Sequence, residues 1–447
     1  METYSFEGSY FFWILPDAIS LGTIKLTTSY LKKINDFFRS IKEEKDNLET
    51  RRTPSKLGIS IFDSINYVSM DEWNKVVPED KGLMRHPYLM AIENSSNENE
   101  QSRYVLMYKN KIPVGAAIFN IVLFTGEDYR SLKGEKNKLE KLKNTIKDKA
   151  KLRVLVCGHT HISGDHGFIY SPDISYKEAY HALADACYQI RRSEKLRGAI
   201  NLQLIKDFYE EEFKNSEHLM VFKYRQFKVD PNMILKIRPE WNSFDDYLNA
   251  MNTKYRKKAL SVIKQGAVLE RRSLSVEEIK SNFDKIQTLY LNVANKAKVR
   301  INHFDTSYLL QLKLNLKEEF ELIAYYLNGD IVGFSTMIFW GNNCEAHAIG
   351  INYDFNNECA IYQNILYDDV KNAIEKKKGK LILGRTAMEM KSNIGAEPFE
   401  MCCYIRHSGP LLNRAFKPIF NYIKQTEWTQ RNPFKEKSAT ADAGALN

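Results

Sequence analysis

The chain has 447 residues, 43% hydrophobic and 27% charged, which is the balance of a soluble globular protein with room for two or three domains. Against 56 acidic residues stand 65 Lys and Arg, a net charge of +9 that suits an anionic ligand, an anionic membrane surface or RNA and selects none of them. The longest nearly uncharged apolar run, Val114 to Phe124, is interrupted by Asn120 and falls well short of the roughly 20 residues of a spanning helix, and six cysteines without a CxxC pair exclude a disulfide scaffold and favour a reducing compartment.

Residues 1–55 read as an amphipathic helical lead-in. Its apolar patch, Tyr10 to Leu15, follows Glu2 and Glu7 with no Lys or Arg, the wrong flank for a secretory signal. Residues 103–119, RYVLMYKNKIPVGAAIF, predict a hairpin: an apolar strand, a tight turn containing Asn110, and a second strand with an early Gly115. Residues 125–153 carry 10 basic and 5 acidic side chains and read as a Lys-rich insertion. That insertion is either a solvated helix or flap, or a basic rim over an anionic substrate or lipid headgroups.

A strand at 154–157 leads into the loop Cys157 to Gly167, which holds His159, His161, Asp165 and His166. Imidazole, carboxylate and thiolate are zinc ligands, and the loop resembles the HxHxDH run of metallo-β-lactamase-type hydrolases. Two extra residues separate its second His from the Asp-His pair, so no metal is expected. The other readings are a Gly-shaped cradle for an anion or carbonyl oxygen with a His as base, or a plain surface loop. The capping box Ser175–Glu178 then opens a helix that runs to Gly198, followed by the strand 199–204.

A second unit opens with the strand Met233 to Ile237. Ser243-Phe244-Asp245-Asp246 caps the next helix, and a basic run follows: Lys254, Arg256, Lys257, Lys258, Lys264, Arg271 and Arg272. Without a nucleic-acid module or aromatic interleaving, that run reads as a solvated helix face or as contact with a phosphate-bearing substrate; DNA is not an expected partner. Another capping box, Ser275–Glu278, begins a further helix. Residues 321–337, ELIAYYLNGDIVGFSTM, then repeat the first hairpin: Tyr108, Asn110, Val114 and Gly115 recur as Tyr326, Asn328, Val332 and Gly333 at an offset of 218 residues. The strand Glu345 to Ile351, carrying His347, runs through Asn352 and Tyr353 towards a helix beginning near Tyr362, the counterpart of Tyr180. A strand at 380–383 ends in a polar turn, Gly384 to Ala396, with Arg385, Glu389 and Lys391, and polar clusters past a strand's carboxyl end are typical of α/β binding crevices. Residues 431–447 read as a disordered tail.

The chain is therefore α/β, with two units of similar design at 56–230 and 231–430. Taken together, the two Val-Gly hairpins, His86-Pro87-Tyr88, the Cys157–Gly167 loop, Trp241 to Leu248 and Leu383 to Ala387 with Lys391 and Gly395-Ala396 resemble the acyl-CoA N-acyltransferase (GNAT) fold in tandem. They are similar to the FemAB-like group often labelled peptidoglycan biosynthesis proteins, and to CelD/BcsL-type acetyltransferases. The Q/R-x-x-G-x-G/A pyrophosphate loop of ordinary acetyltransferases is not evident in either unit.

The resemblance implies two GNAT-like units, each a mixed sheet flanked by helices, and acyl transfer to an amine without metal or covalent intermediate. The implied donor is acyl-CoA, or aminoacyl-tRNA as in some FemAB-type enzymes. The implied proton-handling residues are Tyr353 or Tyr362 as acid and Glu345, His347 or His166 as base. Arg385, Lys391, Glu389, Asn352, His159, His161 and Asp165 are expected to hold substrate, and Asn357, Ala360 and Ile351 to line the donor site. The expected setting is cytoplasmic, with peripheral contact at the inner face of a membrane and a lipid or cell-envelope amine as acceptor. A non-catalytic protein binding an anionic lipid or glycan is the alternative.

Overall fold

The structure, a computed structural model, describes residues 28–95, 99–124, 152–296, 305–415 and 425–435. The aromatic patch at 10–15, the Lys-rich insertion as far as residue 151 and the tail beyond residue 435 lie outside the described residues. The chain forms two bodies, Met1–Thr53 and Pro54–Asn447. In the first, helix α1 spans Thr28–Arg52.

The second body holds a sheet of thirteen strands. Its first half supplies β1 (Gly58–Phe62), β2 (Glu100–Lys109), β3 (Ile112–Phe124), β4 (Leu152–Cys157), β5 (Phe168–Tyr170), β6 (Leu202–Tyr209) and β7 (Arg225–Lys236). The second half supplies β8 (Glu270–Ser273), β9 (Phe320–Leu327), β10 (Asp330–Trp340), β11 (Asn343–Ile351), β12 (Lys380–Ile382) and β13 (Glu397–His407). The main helices are α2 (His86–Ser95), α3 (Tyr176–Ser193), α4 (Thr253–Gln265), α5 (Phe283–Ala294), α6 (Thr306–Leu316), α7 (Tyr353–Cys359), α8 (Ile361–Glu375) and α9 (Met388–Asn393).

The repeat is a structural one. In the first hairpin Lys109 faces Ile112, Tyr108 faces Pro113, and a bulge shifts the register so that Met107 faces Gly115. In the second, Leu327 faces Asp330, Tyr326 faces Ile331, and Tyr325 faces Gly333 across the same bulge. Adding the 218-residue offset converts one set of pairs into the other. Both turns place two residues at positive φ, Asn110 and Lys111 in one and Asn328 and Gly329 in the other, the conformation a type I′ hairpin requires.

Strand order is β1-β2-β3-β4-β6-β13-β7-β12-β11-β10-β9-β8, with β5 on β3. The order is the same read from either edge once each strand is replaced by its counterpart. At the centre the halves exchange their last strands: β13 pairs with β6, β7 pairs with β12, and β7 and β13 pair with each other. The boundary expected at residue 230 therefore falls inside β7. Asp230-Pro231 punctuates the sequence like a linker, but Pro231 sits at the bulge where Asn232 faces Phe399 and Val229 faces Met401, a place where a missing N–H costs no ladder bond.

Residues 431–435, read as the start of a disordered tail, are packed. Asn252 N donates to Pro433 O at 2.8 Å, and the Phe434 ring lies tilted against Trp241 at 5.1 Å between centroids. Gly395 makes room for that ring, since a Cβ there would lie 2.1 Å from Phe434.

Apolar side chains separate into one core shared by both halves, where Tyr88 and Leu89 of α2 meet Tyr308, Leu309 and Leu312 of α6, a large core in each half, and two smaller clusters, one around Ile361 and one around Val156. The shared core is what brings the polar residues of the two halves face to face.

Candidate active site

Parallel strands that part expose backbone and side chains between them. In the second half β11 pairs with β12 only as far as Glu345 with Ile382, and Ala346 to Ile351 continue without it. On the other side Met337 faces Ala346 and Thr336 faces Ala348, so His347 is a bulged residue at the point of parting. Thr336 Oγ1 accepts from Ala348 N at 2.9 Å and fixes the bulge.

The first half parts at the equivalent place, after Cys157 with Ile205. Where the second half has a one-residue bulge, the first leaves the sheet for residues 158–167 and resumes as β5 on β3. Gly158 N to Ile118 O (3.0 Å) and Ile118 N to Gly167 O (2.8 Å) close the base of this loop. The two glycines touch there, and a Cβ on Gly167 would meet Gly158 N at 2.6 Å. Beyond the loop the first half's gap is filled by rings. Phe168 of β5 and Phe208 of β6 lie 5.5 and 5.8 Å from Tyr180 of α3, whose hydroxyl donates to Glu212. Along the stretch of β11 without β12, Ala346 packs on the second half's own core and Ala348 on the shared one, and a Cβ on Gly350 would lie 2.2 Å from the Phe334 ring.

Three ionisable side chains, all buried, gather where β11 leaves β12: Glu345 of β11, Lys391 of α9 and Asp369 of α8. Burial brings the Lys391 ammonium down to about 7 against the pull of Asp369 and Glu345. Burial also pushes the Glu345 and Asp369 carboxyls well above the usual range, despite Lys391 beside each. Glu345 Oε2 and both Asp369 oxygens have no hydrogen-bond partner among the described residues. Lys391 Nζ reaches Gly384 O at 3.4 Å.

The histidine loop packs against this place from the first half. His159 Nε2 shares a 2.7 Å hydrogen bond with Leu83 O, and its ring meets Tyr88 edge-on at 5.0 Å. His166 sits 6.1 Å from the Trp340 ring, with neither ring nitrogen partnered among the described residues. His161 and His347 flank Tyr308 at 5.1 and 5.4 Å, and the Tyr308 and Tyr88 hydroxyls are 3.0 Å apart. Burial lowers His159 and His347 to about 3, so both rings are neutral at pH 7. Asp165 pairs with Lys81 at 3.4 Å.

Lys206 anchors the loop from beneath, its Nζ donating to His159 O at 2.6 Å, to Ile162 O at 2.7 Å and to Asp207 Oδ2 at 2.8 Å. Asp207 also takes Arg385 Nη1 at 3.1 Å. Val156 pairs with Leu204 as Glu345 pairs with Ile382, which makes Asp207 and Arg385 counterparts. They form an ion pair across the approximate two-fold axis.

The structure thus brings together Glu345, His347, Lys391, His159, His161, His166 and Asp165 at the junction of the halves. Arg385 is committed to Asp207. Glu389 faces away and pairs with Arg431 at 2.5 Å. Tyr353 and Tyr362 stand in the first turns of α7 and α8. Burial raises both phenols, and Lys296 lies over the Tyr353 ring. Asn352 caps α7 through Asp354 N, Asn357 is exposed, Ile351 ends β11, and Ala360 takes a left-handed conformation between the two helices.

Sequence reasoning missed Lys206, Asp207, Asp369 and Tyr308. A signal was present for three of them: Lys206-Asp207 interrupts an apolar strand, and Asp369 interrupts the apolar face formed by Leu366, Val370 and Ala373.

No protein-family model matches the chain, and no curated protein matches it. Among solved structures, FemX superposes with a TM-score of 0.51 at 13% identity, over 81% of this chain and 100% of FemX. A tandem GNAT protein from the clavulanic acid biosynthesis pathway gives 0.46 at 8% identity, over 79% of this chain and 99% of that one. The C-terminal domain (DUF2156) of a putative lysylphosphatidylglycerol synthetase from Agrobacterium fabrum gives 0.43 at 9% identity, over 78% and 94%. The likeness to FemX shows the fold alone, an α/β chain whose two similar halves share one sheet.

Proposed function

We propose that the protein is an N-acyltransferase that moves an acyl group from a thioester, with acyl-CoA as the donor, to the amine of a lipid or cell-envelope precursor. The observation that carries this reading is the asymmetry of the two gaps. Beyond the point of parting the first half packs the rings of Phe168, Tyr180 and Phe208 together, whereas in the second β11 runs on from Ala346 to Ile351 without β12, beside the buried Glu345 and Lys391. An extended acyl group fits along such an edge, with the donor's phosphates towards the first turn of α8.

The reaction needs a neutral amine to attack the thioester carbonyl carbon, the C–S bond to break, and one proton to leave the new ammonium while one reaches the thiolate. A lysine brought down to about 7 beside a carboxyl raised above its usual range can exchange protons near neutrality, so Lys391 with Glu345 suits the acceptance step. Tyr362 suits donation to the thiolate. Backbone N–H groups on the edge of β11 that β12 leaves unpaired suit polarisation of the carbonyl, and the histidine loop suits a wall on the acceptor side.

The test is incubation of purified protein with acyl-CoAs of graded length and a panel of amines, read by mass. Ala346→Trp, which places a large ring next to Glu345 where the strands part, is expected to lower turnover by about a hundredfold or more while leaving the fold intact by circular dichroism. Full activity in that variant would remove the site from the second half. Product formed only from charged tRNA would replace the donor, and absence of product with every donor would favour a binding protein.

A further inference from the structure

Helix α4 carries the basic run, and the structure shows which way that run points. From Tyr247 to Leu269 the chain has no acidic residue, but it has Lys254, Arg256, Lys257, Lys258 and Lys264. Ala259 and Val262 enter the core beneath α8. Helical periodicity then sets Lys254, Lys257, Ser261 and Lys264 on the outward side together with Leu260. Leu260 is 46% exposed, and Val268, in the turn that follows, is 63% exposed. Nearby Arg271, Arg272 and Arg431 are held by Asp368, Glu270 and Glu389. Among the described residues no ion pair holds any of the five α4 cations.

Two anionic partners are conceivable for such a face, and its chemistry separates them. Single-stranded nucleic acid would find no aromatic platform, because Tyr255, the aromatic residue of α4, packs towards the core. A bilayer uses what is there: lysine stems that lie along apolar surface with ammonium groups at headgroup level, and aliphatic side chains that enter the headgroup boundary between them. The position also fits. α4 packs on α7 and α8, the helices that follow the open end of β11.

We propose that the outward face of α4 docks this protein on an anionic lipid bilayer, with Lys254, Lys257 and Lys264 contacting phosphate headgroups and Leu260 and Val268 seated among them. The docking stands apart from the acyl-transfer reading, because binding is measured without turnover. If both hold, the bilayer brings an amine-bearing lipid to the gap.

The experiment is sedimentation of the full chain with vesicles of phosphatidylcholine alone and of phosphatidylcholine mixed with phosphatidylglycerol. Binding is expected only to the mixed vesicles and is expected to weaken as salt rises. Each removed charge is worth roughly fivefold in partitioning, so K254E/K257E/K264E is expected to lose on the order of a hundredfold or more. Leu260→Ser should lose a few-fold, whereas the distant exposed pair R192E/K195E should behave as wild type. All these substitutions are on exposed side chains, and circular dichroism checks the fold. Equal binding to both vesicle types would overturn the proposal. So would unchanged vesicle binding in the triple variant, or loss of binding to a single-stranded RNA oligonucleotide in that variant while vesicle binding persists.

Discussion

Asp207→Asn tests whether the ion pair across the approximate two-fold axis ties the halves together. Asp207 is fully buried and receives Lys206 Nζ at 2.8 Å, Arg385 Nη1 at 3.1 Å and Gly164 N at 3.2 Å. Burial alone would raise its carboxyl, but Arg385 and Lys206 outweigh burial and hold it at about 2, below the ordinary 3.8. That depression corresponds to about 2.5 kcal/mol of stability. Because the folded pKa is the lower one, this contribution is complete above about pH 4 and disappears as pH falls through about 2. The amide keeps the shape but removes the charge. The Lys206 ammonium, 3% exposed, is then left with two carbonyls, and breaking a buried pair on one side costs about 3–5 kcal/mol. Denaturant titration of both proteins at pH 7 and in acid is the assay, with the difference expected to be largest at pH 7 and to narrow towards pH 2. Adding Arg385→Gln to Asp207→Asn should cost less than the two changes separately, by about 1–3 kcal/mol. A loss under about 1 kcal/mol at pH 7, or strict additivity, would show that the pair does not tie the halves.

Two further predictions come from the same junction. Lys391, brought down to about 7, binds its proton more weakly folded than unfolded, so its burial costs stability at neutral pH and the cost shrinks as pH rises towards 10. Lys391→Met is therefore expected to raise the denaturation midpoint at pH 7 and to abolish turnover, measured on one preparation; a lowered midpoint would refute the reading. His159 and His347, held neutral to about pH 3, take up protons near 6.5 when unfolded, so stability should fall steadily as pH drops from about 6.5 towards 3. The slope should approach about 1.4 kcal/mol per pH unit for each ring, and thermal melts that stay flat from pH 7 to 4 would contradict it.

What could be read from the sequence was local. The hairpins were legible because Asn110 and Asn328 supply the left-handed turn position and the following Val-Gly sits at the bulge, all within a dozen residues. The capping boxes at Ser175 and Ser275 and the capping sequence at Ser243 were legible for the same reason, and all three form, the last also as a reciprocal box with Asp246. The strand exchange was not, because β13 finds β6 almost two hundred residues away and Pro231 disguises the strand that pairs with it. Arg385 and Glu389 were singled out for their charge and their place after a strand. Their partners, Asp207 and Arg431, are set by tertiary contacts that no spacing within the turn reveals.

Symmetry explains why the polar residues converge on one place. Two halves related by an approximate two-fold axis bring equivalent positions close together wherever those positions lie near the axis, and the point where each half's parallel strands part is such a position. Asp207 and Arg385 are counterparts, and they touch. The one-residue bulge at His347 and the loop holding His159, His161 and His166 are also counterparts, and their rings meet around Tyr308 and Tyr88. An enlargement of the bulge in one half therefore projects into the surroundings of the other half's bulge. Phe168, Tyr180 and Phe208 pack together beyond the first half's loop, whose base Lys206 holds. In the second half β11 runs on past β12 with that loop packed against its bulge. Divergence at equivalent positions thus makes the two similar halves unlike where they meet.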